Sequence, residues 1–138
     1  MHYWLLNKYY FINSLDTNIK KKIPKDTIII YRNYDSKKVN LSKLLKLKKY
    51  LKKRKIKFFL SNNIKLAIKL RLDGAYIPSF NKDFGHLSYT FNSTFVLIGS
   101  AHSLEEIRIK ELQKVKTIFI SSIFKPNKNF LGLNKFKI

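Results

Sequence analysis

A chain of 138 residues with 45% hydrophobic side chains suffices for one domain around one core, which excludes a disordered polymer. It contains no cysteine, so disulfides, thiolate metal sites and cysteine nucleophiles are excluded. Its 29 Lys and Arg face 8 Asp and Glu, and the resulting charge of +21 attracts polyanions: nucleic acid, phosphorylated metabolites or acidic membranes.

The opening MHYWLLNKYYFIN is aromatic and apolar but lacks a basic leader and a small-residue cleavage site. No apolar run approaches the roughly 20 residues that span a bilayer, so a soluble cytoplasmic protein is expected. A first strand is predicted at 9–13. The link 14–26 has poor helical periodicity and carries Pro24, and a second strand follows at 27–32. Asn40 can cap a helix running to about residue 55, with Leu41, Leu44, Leu45 and Leu51 as its apolar stripe and lysines over the rest. A third strand is predicted at 57–61. Asn62 or Asn63 then starts a helix that turns Leu66, Ala67 and Leu70 inward, before a fourth strand at 75–79. Residues 81–94 are polar and aromatic and read as a loop with one short helical turn. A fifth strand at 95–100 leads to Ser103-Leu104-Glu105-Glu106, whose Ser103 and Glu106 have capping-box spacing. Ile107 and Leu112 continue the buried face of that helix, and a sixth strand is predicted at 117–122.

The strands are almost continuously apolar rather than alternating, as parallel strands covered on both faces are. Alternation of strand and helix implies an α/β fold with a parallel sheet and right-handed crossovers. That pattern fits either an open doubly wound sheet or part of a barrel. No Gly-x-Gly-x-x-Gly or Walker-type loop is present.

Three blocks carry a resemblance. They are IIIYRNYD (28–35), FFLSNNIKLAIKLRLDGAYIPSF (58–80) and FVLIGSAHSLEEIRIKELQKVKTIFISSIFKPNKNFLGLNKF (95–136). In order and spacing they resemble the second to sixth strands of the thiamine phosphate synthase family and its thiazole tautomerase relatives. The resemblance implies a TIM-type (β/α) barrel, incomplete, with about six parallel strands in a single domain over 1–138 that lacks the last two βα units. It also implies a transferase of thiamine biosynthesis that joins a pyrimidine diphosphate to a thiazole phosphate. An unclosed sheet has edges that invite pairing, so homo-oligomerisation is one expectation; a fragment of a longer protein and a lone open sheet are the others.

Active sites in this fold lie at the C-terminal ends of the strands. The polar residues there are Arg32, Ser61 with Asn62 and Asn63, Ser79 with Asn81, Ser100 with His102, and Ser121 with Ser122. The family's Gln-x-Arg-x-Lys signature keeps Arg32 but places Ile30 and Tyr34 at its other positions. Two aspartates that hold Mg2+ in the family align with Asn62 and Asn81, which lack charge; Asp83 or Asp35 are the nearby carboxylates. The family's Thr-x-Thr-Lys becomes Lys125-Pro126-Asn127-Lys128-Asn129, where Lys128 supplies charge. The resemblance thus implies substrate contacts from Arg32, Ser61, Asn63, Ser79, Ser100, Ser121, Ser122 and Lys128, and a weakened Mg2+ position at Asn62 and Asn81.

His102 stands in a setting, Ser-Ala-His-Ser-Leu-Glu-Glu, that resembles the loop carrying a catalytic histidine in the tautomerase branch. It is the candidate proton carrier; its other reading is a residue that only organises the helix start. His2 and His86 fall in a terminus and a loop with no role assigned, and Tyr31 and Tyr76 are expected to pack. A different class of function rests on charge alone: a non-catalytic protein that binds nucleic acid through the helix at 40–55. Against it, the basic residues are nearly all lysine, and only Arg32, Arg54, Arg71 and Arg108 offer the guanidinium that dominates base readout.

Overall fold

The computed structural model describes residues 9–15, 23, 27–32 and 40–120. Six strands, β1 (Tyr9–Ile12), β2 (Ile28–Tyr31), β3 (Lys57–Ser61), β4 (Gly74–Ile77), β5 (Val96–Ala101) and β6 (Thr117–Ile120), lie in sequence order. Each pairs in parallel with the next. The sheet curls through 216° and stays open, so the fold is an incomplete TIM barrel rather than a doubly wound sheet. At that curvature closure would come after about eight strands. Among the described residues three helices cover the outside: α1 (Leu41–Lys53), α2 (Ile64–Lys69) and α3 (Leu104–Leu112). No described helix is long and apolar enough to cross a membrane.

The near-continuous apolar strands are explained by two cores. Outward residues such as Ile29, Phe58, Leu60, Ala75, Ile77 and Leu97 pack beneath the helices. Inward residues Ile30, Phe59, Tyr76 and Ile98 fill the concave face with Tyr9, Phe11 and Phe119. Aromatic rings from β1, β4 and β6 meet there: Tyr9 and Phe119 lie 4.7 Å apart edge to face, and Phe11 and Tyr76 5.3 Å apart. Large rings therefore span a space that a closed barrel would fill from more strands. Tyr31 and Tyr76 are both buried, as expected.

All three helices begin on a capping side chain. Asn40, Asn63 and Ser103 each accept a backbone N–H three residues on, at 3.1 Å. The helices end alike too, in Schellman turns whose left-handed residue is Lys55, Arg71 or Lys114. The residue after each, Ile56, Leu72 or Val115, is buried, and its N–H closes on the carbonyl of Leu51, Ala67 or Lys110. Glycine is the usual choice at such a position, and a side chain there costs of order 1 kcal/mol. Here the buried residue that follows offsets it, and each turn feeds directly into a strand.

Two helix faces differ from expectation. In α1 the buried residues are Leu44, Leu47 and Leu51, while Leu41 and Leu45 are exposed. Spacings of three and four place Leu47 between Leu44 and Leu51 on the sheet side, and Leu41 and Leu45 fall off that line. In α3, Leu112 is exposed and Lys110 is fully buried. Gly99 makes this arrangement fit: a Cβ there would lie 3.0 Å from Lys110 Cδ and 2.7 Å from the Ile77 carbonyl oxygen. In α2, Ala67 is buried with Ile64, and Leu66 and Leu70 pack half-buried against the core.

Candidate functional site

Strand alternation brings Arg32, Ser61 and Ser100 to the concave side, because Ile30, Phe59 and Ile98, two residues earlier, face that way. Arg32, just past β2, donates its backbone N–H to the Ile12 carbonyl at 2.8 Å, and its guanidinium lies 4.4 Å from the centre of the Phe11 ring. This cation–π contact holds a positive charge at the rim, and no carboxylate among the described residues pairs with it. Ser61 is buried at the end of β3. The Ser79 backbone N–H donates to Ser100 Oγ at 3.1 Å and ties the end of β4 to β5.

The two asparagines that align with the family's metal-holding aspartates meet. Asn81 Nδ2 donates to Asn62 Oδ1 at 2.7 Å. Asn62 sits in left-handed backbone (φ 59°), a conformation asparagine tolerates, and its N–H bonds the Tyr76 carbonyl at 2.7 Å. Asn81 Oδ1 accepts the Asp83 N–H at 2.8 Å, and the Asp83 carboxylate accepts the Gly85 N–H at 3.0 Å. Both amide oxygens and one Asp83 carboxylate oxygen are thus engaged within the loop.

A buried polar cluster fixes that loop from beneath. Lys110 Nζ and Gln113 Nε2 both donate to the Asn81 carbonyl, at 2.9 and 3.0 Å, and Gln113 Nε2 also reaches the Asp83 carbonyl at 2.9 Å. His86 Nε2 lies 2.8 Å from the Gln113 carbonyl oxygen and is buried in the 3-10 turn Gly85–Ser88. Because it meets a carbonyl, that nitrogen carries the proton. His86, assigned no role from sequence, is therefore part of the loop's anchor. Burial pushes the Lys110 ammonium down to about 8; the Glu106 carboxylate raises it and Lys82 lowers it again.

His102 follows β5 and is exposed. Its backbone N–H donates to Glu106 Oε1 at 2.6 Å, while Ser103 Oγ accepts the Glu106 N–H. The capping exchange expected of Ser103 and Glu106 is present, shifted so that the glutamate holds the residue before the cap. Asn63 is occupied as the cap of α2. Ser121, Ser122, Lys128, Tyr34, Asp35 and His2 lie outside the described residues. The structure thus brings together Asn62 with Asn81 and Ser79 with Ser100, and sets Arg32, Ser61 and His102 at the same end of the sheet.

The donor set at Asn62 and Asn81 does not fit Mg2+. That ion is usually held by one or two carboxylates besides substrate phosphates. Here two neutral amides bond each other, and the Lys110 ammonium touches the Asn81 carbonyl. Among the described residues no three His, Cys, Asp or Glu side chains converge for a metal ion.

Lys110, Gln113 and His86 escaped the reading of the sequence. A lysine at a helix position that an apolar residue would fill looks solvated among so many others. The one usable signal was Gly99, a strand glycine that marks a close approach.

A comparison with curated proteins finds no significant match. The family model for thiamine monophosphate synthase matches residues 7–137. With a parallel barrel arc in sequence order and a polar rim at its C-terminal end, the chain belongs to the thiamine monophosphate synthase family.

Proposed function

We propose that the chain binds the phosphorylated thiazole and pyrimidine of thiamine biosynthesis at this rim, as a synthase-type transferase whose metal-assisted step is degenerate. The observation that carries the reading is the 2.7 Å amide contact between Asn62 and Asn81. In the coupling, the thiazole nitrogen forms a bond to the pyrimidine's methylene carbon. The C–O bond to diphosphate breaks, and its electron pair leaves with the diphosphate. That departure needs positive charge close by. Arg32 supplies one cation in the described rim, and the Ser61 and Ser100 hydroxyls supply hydrogen bonds to phosphate oxygens. Nothing at Asn62 and Asn81 draws a divalent ion to the diphosphate. Substrate binding is therefore kept while coupling is weakened.

The test measures binding of each substrate by calorimetry and thiamine phosphate formation by chromatography, with and without Mg2+. Binding of the thiazole phosphate that is indifferent to Mg2+, with coupling absent or very slow, is expected. Fast Mg2+-dependent coupling would refute the degenerate step, and no binding of either substrate would remove the reading altogether.

A second reading, a thiazole tautomerase-like isomerase, is favoured by one observation. His102 is exposed at the rim with its backbone held by Glu106. An imidazole so placed can take a proton from one ring position and return it to another. Isomerisation without Mg2+ that His102→Ala abolishes would support it; unchanged turnover in that variant would exclude His102.

A further inference from the structure

The opposite, N-terminal end of the sheet carries a cationic cleft of its own. Lys48 and Lys52 stand one turn apart on α1, Lys55 lies in its closing turn, Lys57 opens β3 and Arg71 closes α2. These five cations line one cleft of about 310 Å3, floored by Ile56, Phe58 and Leu72. Its single acid, Asp73, accepts the Phe58 backbone N–H on Oδ2 at 2.8 Å. Among the described residues the ion pair found is Arg108 with Glu111, so no described carboxylate pairs with any of the five.

Arg71, Leu72 and Asp73 also wall a second cavity of about 390 Å3, closed on its far side by the stretch from Thr90 to Phe95. Phe91 and Phe95 stand there with ring centres 5.0 Å apart, and Phe91 is exposed. The two cavities share Arg71, Leu72 and Asp73 in their linings, which sets a cationic groove beside an aromatic one.

We propose that this groove binds single-stranded nucleic acid, with backbone phosphates along the cationic cleft and a base stacked on Phe91. Four of the cations, Lys52, Lys55, Lys57 and Arg71, are exposed. Each attracts a phosphate only weakly through water, so affinity accumulates over several phosphates rather than one. A basic groove beside an aromatic face suits a strand, since every base has a face to stack. The site is independent of the rim proposed above, which lies at the other end of the strands. It also moves the expected contact from the whole helix at 40–55 to one of its faces together with the turns after α1 and α2.

The experiment is fluorescence anisotropy of the full chain with a labelled oligothymidylate. Five phosphate contacts predict a loss of roughly 100-fold in affinity between 50 and 200 mM salt. The triple variant Lys48→Gln, Lys52→Gln, Arg71→Gln is compared with Lys43→Gln, Lys46→Gln, Lys49→Gln, which removes equal charge from α1 outside the cleft. The cleft variant should bind at least about tenfold more weakly than this control and show a salt slope shallower by about 2. Phe91→Ala should weaken binding about tenfold with the slope unchanged. Equal losses in both triple variants, full affinity in Phe91→Ala, or displacement of the strand by an equal concentration of free nucleotide would each overturn the proposal.

Discussion

Replacing Asn62 and Asn81 together with aspartate puts two carboxylates where two amides now share a hydrogen bond of 2.7 Å. The lost bond costs about 1 kcal/mol. Like charges about 4 Å apart add about 1 kcal/mol in a water-like medium, and that medium applies because Asn62 is exposed and Asn81 half-buried. The sum, about 2 kcal/mol, lowers Tm by about 6 °C for a domain of this size. Mg2+ should then reverse the loss, by about 2.7 kcal/mol at a concentration one hundred times its Kd. The assay is thermal unfolding of both proteins, with chelator and over a Mg2+ titration. The wild-type midpoint should not respond to Mg2+, and the double variant's should climb. A wild type that gains as much from Mg2+ as the variant would refute the argument that the amide pair has closed the metal position. A double variant that ignores Mg2+ would refute the placement of that position at these residues.

Lys110 gives a pH signature. Its ammonium titrates at about 8 in the fold, against about 10.4 in an unfolded chain. Between those values the unfolded state binds more protons, so this group adds up to about 3 kcal/mol of stability as pH rises through the window and withholds it below pH 8. Lys110→Met should flatten the rise of Tm between pH 8 and 10.5, and a slope identical to wild type would contradict a buried ammonium. Gly74→Ala should cost about 3 kcal/mol in a urea titration, because its Cβ would fall 2.1 Å from the Val96 carbonyl oxygen and 2.4 Å from Phe59 Cε2. Gly85→Ala, whose nearest atom is Asp83 Oδ1 at 3.5 Å, serves as the control and should change the midpoint little; equal losses at the two sites would defeat the steric account.

Local rules made much of the chain legible from its residues. Period and capping are short-range properties, so the strands, the Asn40, Asn63 and Ser103 caps and the parallel order follow from neighbours in the chain. The resemblance to the synthase family rested on the same local units, such as Asp73-Gly74. There the aspartate caps the Phe58 N–H, and the missing side chain of Gly74 admits the Phe59 ring. Family membership was legible for that reason.

What depended on distant residues required the folded molecule. Helix rotation is set by the sheet beneath, which is why Leu47 is buried in place of Leu41 and Leu45, and why Lys110 lies over Gly99. Asn62 and Asn81 were singled out separately as substitutions for acids. Their contact, nineteen residues apart in sequence, follows from β3 lying beside β4. The anchor of Lys110, Gln113 and His86 joins segments about thirty residues apart, and no period in the sequence connects them. The sequence by itself determined a basic parallel barrel arc of this family. The tertiary structure decided which polar groups satisfy one another at the rim, and which lysines gather at the far end, because both depend on strand adjacency and helix rotation.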